Sequence, residues 1–152
     1  MPQSLAQVYL HLVFSTKSRS TFLQNRELRE RTHAYLVGAC RNLDSPSLIT
    51  GGTSDHVHIL CSLSRKLSIA GLVAELKRES SIWIKARDSD LAGFHWQEGY
   101  GAFSVSPSHI PDLKRYIRNQ EEHHRHHENF KDEFRRLLQK YEIGYDERYV
   151  WD

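Results

Sequence analysis

The sequence has few cysteines, no long apolar run and no secretion signal. Its two cysteines, Cys40 and Cys61, do not form a CxxC pair, so nothing in the pattern indicates a thiolate zinc site. No apolar run reaches the roughly 18 residues that a membrane-spanning helix needs. We therefore expect a cytoplasmic protein without a membrane partner, in which both cysteines are small buried residues.

Net charge is also nearly absent. Lysine and arginine total 21 and aspartate and glutamate total 19, which leaves a formal charge of +2 over 152 residues. This balance excludes a polycation that binds nucleic acid by bulk charge, although it allows a local basic groove. The length fits one domain, and no repeat or low-complexity linker divides the chain.

The order of the predicted elements indicates the fold class. Alternating apolar patterns and helix caps predict strands over residues 6–14, 47–50, 55–63 and 102–106, and helices over residues 25–42, 68–87, 108–127 and from 129 onwards. The order strand, helix, strand, strand, helix, strand is typical of an α+β, ferredoxin-like split βαβ sheet. Both crossover helices then cover one face of an antiparallel sheet, and the other face is left for a ligand or for the extra C-terminal helices.

The chain is unusually rich in histidine, with ten residues of this type. Two of them, His56 and His58, are one residue apart on a predicted strand and therefore point to the same face. Because the intervening Val57 and the following Ile59 are apolar, we expect the two imidazoles to be exposed on the face without crossover helices. The pair forms a two-point metal site, although two histidines at this spacing are also typical of an ordinary solvent-facing strand.

A predicted helix supplies the partners that favour a metal site. Tyr116 and Gln120 are four residues apart, so they share a helix face. Glutamine offers a carbonyl oxygen as a third ligand, and tyrosine offers a hydroxyl nucleophile. We expect the cations beside Tyr116 to favour its phenolate form and to attract phosphate; they are Lys114, Arg115 and Arg118. Together these residues indicate metal-assisted attack of a tyrosine on a phosphodiester.

These motifs resemble those of a known family. The segment DHVHIL over residues 55–60 resembles the HUH motif (histidine, hydrophobic, histidine), and YIRNQ over residues 116–120 follows it at the expected place. With TKSR over residues 16–19 and WQEGYGAFSVS over residues 96–106, the chain is similar to the single-tyrosine, IS200-like transposases of bacterial insertion sequences, including those associated with repetitive extragenic palindromes.

The resemblance implies a function. It implies a single transposase domain over residues 1–152, with a catalytic core over about 5–127 and a C-terminal helix and tail over about 128–152. His56, His58 and Gln120 would bind a divalent metal, magnesium first and manganese second, without a nucleotide cofactor. Tyr116 would cleave single-stranded DNA beside a hairpin through a 5′-phosphotyrosine. A homodimer, in which the tyrosine helix serves the partner's site, would fit the same family.

Other residues are candidates for DNA contacts or for supporting the metal ligands. Cations that we expect at the DNA backbone are Lys17, Arg19, Lys77, Arg78, Lys114, Arg115 and Arg118. Trp96 and Tyr100 are candidates for stacking on unpaired bases. Asp55 and His124 are candidates for contacts behind the metal ligands, while the rest of the HHRHH run over residues 123–127 is typical of a solvated helix end.

Three alternative functions remain open from the sequence. A small replication initiator or relaxase shares the HUH chemistry, although the short chain lacks a helicase domain. A domesticated transposase that binds palindromic hairpins without cleaving them would retain the same fold. A histidine-rich metal-storage protein would bind several transition-metal ions and no DNA.

Overall fold

The computed structural model describes residues 3–126 and 128–151. Four strands and five α-helices occur in this described part of the chain. They are β1 (Tyr9–Ser15), α1 (Arg26–Asn42), β2 (Ser47–Gly52), β3 (His56–Ser62), α2 (Ile69–Lys85), β4 (Gly101–Val105), α3 (Ile110–Arg118), α4 (Gln120–His126) and α5 (Phe130–Lys140). None of these helices has the length and apolar character needed to cross a membrane.

The four strands form one antiparallel sheet in the order β2-β3-β1-β4. This order confirms the predicted ferredoxin-like arrangement, in which the two outer strands flank a central pair. In the central pair, Val13 on β1 lies opposite His58 on β3. The register therefore places Val13, His11 and the two histidines of β3 on one face of the sheet.

The crossover helices α1 and α2 cover the other face, as the sequence predicts. Asn25 caps α1 by accepting from the backbone N–H of Leu28, and Ser68 caps α2 by accepting from that of Gly71. The apolar stripes of both helices pack on the sheet in one cluster. Its buried members include Leu10, Leu12, Phe14, Leu36, Cys40, Val57, Ile59, Cys61, Leu72, Val73 and Leu76. The burial of both cysteines is thereby confirmed.

The C-terminal helices cover the histidine face. Asn129 caps α5, as predicted, and this helix contributes most of a second apolar cluster. The cluster consists of Val13, Phe103, Phe130, Phe134, Leu137 and Leu138, with Tyr141, Val150 and Trp151 packed against it. The aromatic tail therefore packs on the domain, and the face that the crossover helices leave open is closed by the chain's own later elements.

Two local predictions differ from the structure. The helix predicted over residues 108–127 begins with a short 3₁₀ turn over residues 107–109 and divides at Asn119 into α3 and α4; His127 lies outside the described residues. The strand predicted over residues 47–50 continues through Gly51 and Gly52, so the turn to β3 occupies residues 53–55. Gly51 is needed there because a Cβ atom would lie 2.7 Å from the carbonyl oxygen of Ile117 on α3.

Candidate metal and tyrosine site

His56 and His58 lie on the same face of β3, but neither is exposed. Both side chains have 0% relative exposure, so the prediction of solvent-facing imidazoles is wrong. The reason is that α4 and α5 dock over this face, which the strand pattern alone does not specify. An imidazole in such a place needs a polar partner for each nitrogen, and the structure supplies them.

Each imidazole is oriented by a partner behind it. Nδ1 of His56 lies 2.7 Å from Oδ1 of Asp55, and Nδ1 of His58 lies 2.7 Å from Nε2 of His11. These contacts leave the Nε2 atom of both rings facing α4 and α5. Contacts of this type fix the ring orientation of metal-binding histidines, so Asp55 lies where the sequence analysis expects a supporting residue.

Gln120 and Tyr116 reach the same place from above the sheet. Oε1 of Gln120, a fully buried side chain, lies 3.0 Å from Nε2 of His56. The break at Asn119 does not separate the two residues, because its N–H still donates to the carbonyl of Arg115 at 3.0 Å. The ring of Tyr116 stands edge-on to that of His58, with 5.9 Å between centroids. Tyr116, Gln120 and both histidines are thus brought together within one chain.

Glu133 of α5, which the sequence analysis misses, is at the centre of this group. Its Oε1 lies 3.0 Å from Nε2 of His58 and 3.4 Å from Nε2 of His56. Its Oε2 accepts hydrogen bonds from Nε2 of Gln120 at 2.9 Å and from the hydroxyl of Tyr116. Nε2 of His124 also lies 3.0 Å from Oε1, so this histidine is at the site as expected. The carboxylate has 0% exposure.

The site holds strongly perturbed acids and bases. Burial opposes a charge on His56, but the carboxylates of Asp55 and Glu133 raise its pKa to about 9. Burial lowers the pKa of His58 and, with the neighbouring His58, that of His11. Burial alone would raise the pKa of Glu133, yet the surrounding imidazoles hold it far below its usual value. Without a metal, Glu133 and His56 therefore each favour the charged form of the other.

The cation nearest the Tyr116 hydroxyl is one that was not predicted. Nη2 of Arg136, on α5, donates to this hydroxyl at 2.8 Å, whereas the exposed Arg115 pairs with Asp112. Burial and the charge of Glu133 raise the pKa of Tyr116 well above its ordinary value, and Arg136 only partly opposes this. The expectation that neighbouring cations favour the phenolate form is therefore wrong for this arrangement of side chains.

A cavity of about 590 Å³ opens beside the tyrosine. Its wall is mixed, with apolar groups of α3 and α5 and several cationic or titratable side chains. The residues of the wall that bear on its chemistry are His11, His109, Tyr116, Arg136 and Lys140. Arg136 and Lys140 in this wall are basic groups of the kind that contact anions, and the acidic Asp112 lies in the same wall.

The predicted DNA contacts are not gathered in one place. The prediction that Trp96 stacks on unpaired bases is wrong. Its side chain is 9% exposed, packs on Phe14 and Phe94, and donates its indole N–H to Ser80 at 2.9 Å. It is a core residue, because the loop that carries it folds back on α2, and it offers no face for a base. Tyr100 is 40% exposed and remains accessible.

The predicted cations also differ in their surroundings. Lys77 donates to the carbonyls of Gln97 and Gly99, and Arg78 pairs with Glu75. Both lie on α2, which covers the face opposite the histidines. Arg19 donates to the carbonyl of Trp151 at 3.3 Å. Lys17, Arg115 and Arg118 are exposed and Lys114 is half-buried, so these four remain candidates for phosphate contacts.

One signal in the sequence indicates Glu133. It falls on the same stripe of α5 as Phe130, Phe134 and Leu137, where an apolar residue is the rule. A carboxylate on a buried stripe needs a cationic or metal partner. His11 gives a weaker signal, since strand pairing had to be known before its face could be assigned.

The side chains present fit a divalent metal. The donor set is compact. It consists of Nε2 of His56 and of His58, whose rings are oriented by Asp55 and His11, and of Oε1 of Gln120, which lies 3.0 Å from Nε2 of His56. Adjacent ligands around an ion with bonds of 2.0–2.1 Å are about 3 Å apart, which matches this spacing. His56, His58 and Glu133 together form a group whose ligand atoms lie within 4.8 Å of one another.

Comparisons with known proteins identify the family of the chain. The model of the family described as "Transposase IS200 like" matches residues 4–120. A candidate transposase from Deinococcus radiodurans is similar in structure, with a TM-score of 0.60 and 21% identity over 77% of this chain and 93% of that chain. A REP-associated tyrosine transposase bound to a REP hairpin is similar with a TM-score of 0.58 and 11% identity, over 80% of this chain and 72% of that chain.

These two solved structures confirm the fold and no more, because their identities are low. A search of curated proteins finds no match to the sequence. The family match is the stronger finding, since it covers most of the chain and includes the histidine strand, Tyr116 and Gln120. The chain belongs to the IS200-like transposase family.

Proposed function

We propose that the protein is a metal-dependent endonuclease and strand transferase for single-stranded DNA, with Tyr116 as its nucleophile. One observation carries the proposal: the hydroxyl of Tyr116 and Nε2 of both β3 histidines converge on one buried carboxylate, Glu133. Nucleophile and metal donors are therefore adjacent within a single chain. Membership of a transposase family supports DNA as the substrate.

The metal would be held by His56, His58 and Gln120. A divalent ion supplies charge that polarises the scissile phosphate and stabilises the transition state. The protein's own part is orientation: Asp55 and His11 fix the two rings, and the helix fixes Gln120. Imidazole ligands suit manganese better than magnesium, and the family resemblance favours magnesium, so both ions belong in the assay.

The proposed reaction exchanges one phosphate ester bond for another. The Tyr116 oxygen attacks phosphorus as the phenol gives its proton to a water molecule, and the bond from phosphorus to the 3′ oxygen breaks. The leaving oxygen takes a proton from water and becomes a free 3′-hydroxyl. The 5′-phosphotyrosine keeps the energy of the broken bond, so a later attack by a 3′-hydroxyl rejoins DNA without a nucleotide cofactor.

Arg136 and the cavity next to it would bind the DNA. The guanidinium that donates to the Tyr116 oxygen is placed to contact a non-bridging oxygen of the phosphate under attack. Lys140 on the cavity wall would contact the neighbouring phosphate. Hairpin ends are the proposed substrate, because a family relative of the same fold is described as bound to a REP hairpin. A homodimer remains a prediction, and the intrachain contacts of Tyr116 favour a site assembled in one chain.

The decisive experiment looks for the covalent intermediate. Labelled single-stranded hairpin DNA is incubated with the protein and Mn²⁺ or Mg²⁺, and the products are separated under denaturing conditions. Wild type should give a protein–DNA adduct and a free 3′-hydroxyl fragment. Tyr116→Phe should give neither, a loss of at least about 10³-fold, since the nucleophile itself is removed.

The matched control is Tyr35→Phe, which removes the hydroxyl of a half-buried tyrosine on α1, on the opposite face of the sheet. It should form as much adduct as wild type. An adduct of equal yield in Tyr116→Phe would contradict the assignment of the nucleophile. Hairpin binding by wild type without any adduct would support the non-cleaving DNA-binding alternative instead.

A further inference from the structure

We propose that Glu133 is a fourth protein ligand of the metal, completing a set with His56, His58 and Gln120. The inference rests on the metal site of the proposed function and extends it. Glu133 is on α5, beyond the residues 4–120 that the family model matches, so membership of the family does not assign it a role.

The distances support ligation by Oε1. This atom lies 3.0 Å from Nε2 of His58 and 3.4 Å from Nε2 of His56, and that second nitrogen lies 3.0 Å from Oε1 of Gln120. Adjacent ligands of an octahedral ion with 2.1 Å bonds are about 3 Å apart. The oxygen therefore occupies a position adjacent to both imidazole donors, at the spacing of neighbouring ligands around a single ion.

Glu133 is a charged residue in a position where α5 otherwise buries apolar side chains. Its side chain is fully buried on the stripe by which α5 packs on the sheet, between the apolar residues Phe130 and Leu137. Burying a carboxylate there is costly unless a cation meets it. An apolar residue would complete the same helix–sheet contact at no such cost. Imidazoles meet this charge in the metal-free protein, and a divalent ion bound between the same groups would meet it when the site is loaded.

The two oxygens of Glu133 face different partners. Oε1 faces the histidines, whereas Oε2 accepts from Nε2 of Gln120 at 2.9 Å and from the Tyr116 hydroxyl. The bond to the Gln120 amide nitrogen turns the amide oxygen towards His56, which is the orientation that metal binding needs. Glu133 thereby links the metal donors to the nucleophile, and it changes the donor set from two nitrogens and one oxygen to two of each.

A different role would give the opposite result. Glu133 also pairs with His56, so it could occupy the place of the metal and weaken its binding. A ligand strengthens metal binding, whereas an occluding group weakens it. The sign of the change on removing the carboxylate charge therefore separates the two roles.

The test measures Mn²⁺ binding to the whole protein without DNA, by titration calorimetry and by the electron paramagnetic resonance of free Mn²⁺. Glu133→Gln, which keeps the shape of the side chain, should weaken binding by at least about tenfold. Asp132→Asn is the matched control, because it removes the same charge from the neighbouring, solvent-facing position of α5. Its affinity should remain within about twofold of wild type.

Three further results decide the interpretation. Unchanged or tighter Mn²⁺ binding by Glu133→Gln overturns the proposal. Wild-type affinity in His58→Ala would instead refute the metal site itself, and it is read separately from the tyrosine adduct. If Glu133→Gln does not unfold cooperatively, the infrared difference spectrum of wild type with and without Mn²⁺ replaces it. A shifted carboxylate stretch then supports ligation, and an unchanged one overturns it.

Discussion

The two faces of the central strands are built from alternate residues of the same segments, yet they differ in kind. On β3, Val57 and Ile59 face α1 and α2 in a fully apolar cluster, whereas His56 and His58 face α4 and α5. All four side chains are buried. One face gains stability from apolar area removed from water, and the other places polar groups in a dry environment where each needs a partner.

This contrast shows that burial has two meanings in the molecule. On the apolar face, each residue stabilises the fold by packing closely against its neighbours. On the histidine face, the hydrogen bonds among His11, His58, Glu133 and Tyr116 fix the direction of individual atoms. Such a network contributes less to stability, because the desolvation of the charged groups offsets much of their attraction. It contributes orientation, which a catalytic site requires.

The largest expected effect on stability comes from a substitution on the apolar face of β3. Ile59→Ala removes a fully buried side chain from the apolar cluster and should lower the free energy of unfolding by about 3 kcal/mol. Urea unfolding of the metal-free protein measures the loss. The increase in thermal midpoint on adding Mn²⁺ should be retained, because the metal donors lie on the other face. Loss of that increase would mean that the two faces are not independent.

His58→Ala should lower stability less than Ile59→Ala does, but it should abolish the response to the metal. Removing the imidazole leaves His11 and Glu133 without one partner each and should lower stability by about 2 kcal/mol, less than Ile59→Ala. The thermal shift on adding Mn²⁺ should disappear. An exposed imidazole, as expected from the sequence, would give almost no such loss, so the loss follows from burial. A stability loss larger than that of Ile59→Ala would contradict the comparison.

Gly51→Ala should move the tyrosine helix away from the sheet. The added Cβ would lie 2.7 Å from the carbonyl oxygen of Ile117, the residue after Tyr116, and backbone cannot yield by a rotamer change. We expect a loss of about 1–2 kcal/mol in stability, with a larger proportional loss of adduct formation. Gly38→Ala, on α1 and without a heavy atom within 4 Å, is the control and should leave adduct formation unchanged.

The smallest expected effect comes from a histidine outside the site. Burial lowers the pKa of His33, on α1, to about 4, and its Nε2 has no hydrogen-bond partner among the described residues. The unfolded chain binds a proton near pH 6.5 and the folded chain does not, so this residue lowers stability as pH falls from about 6.5 towards 4. His33→Gln should reduce the loss between pH 7 and pH 5.5 by about 1 kcal/mol, measured by urea unfolding. An identical pH dependence in both proteins would contradict this contribution.

Much of the fold follows from local patterns, because strand alternation and helix caps are properties of neighbouring residues. The faces of His56 and His58, and the meeting of Tyr116 with Gln120, were predicted in this way. The contribution of Glu133 was not, because it depends on which helix docks over the sheet. Trp96 was misassigned for a related reason: its loop composition indicates accessibility, whereas its burial depends on contacts with Phe14 and Ser80.

The place of α5 in the chain has a consequence for the order in which the protein forms during translation. The strands, Tyr116 and Gln120 all leave the ribosome before Glu133 and Arg136. A nascent chain can therefore complete its sheet and its apolar core while the histidine face is still uncovered. Under the proposed function, cleavage competence would arise only when α5 brings Glu133 and Arg136 to the histidine face.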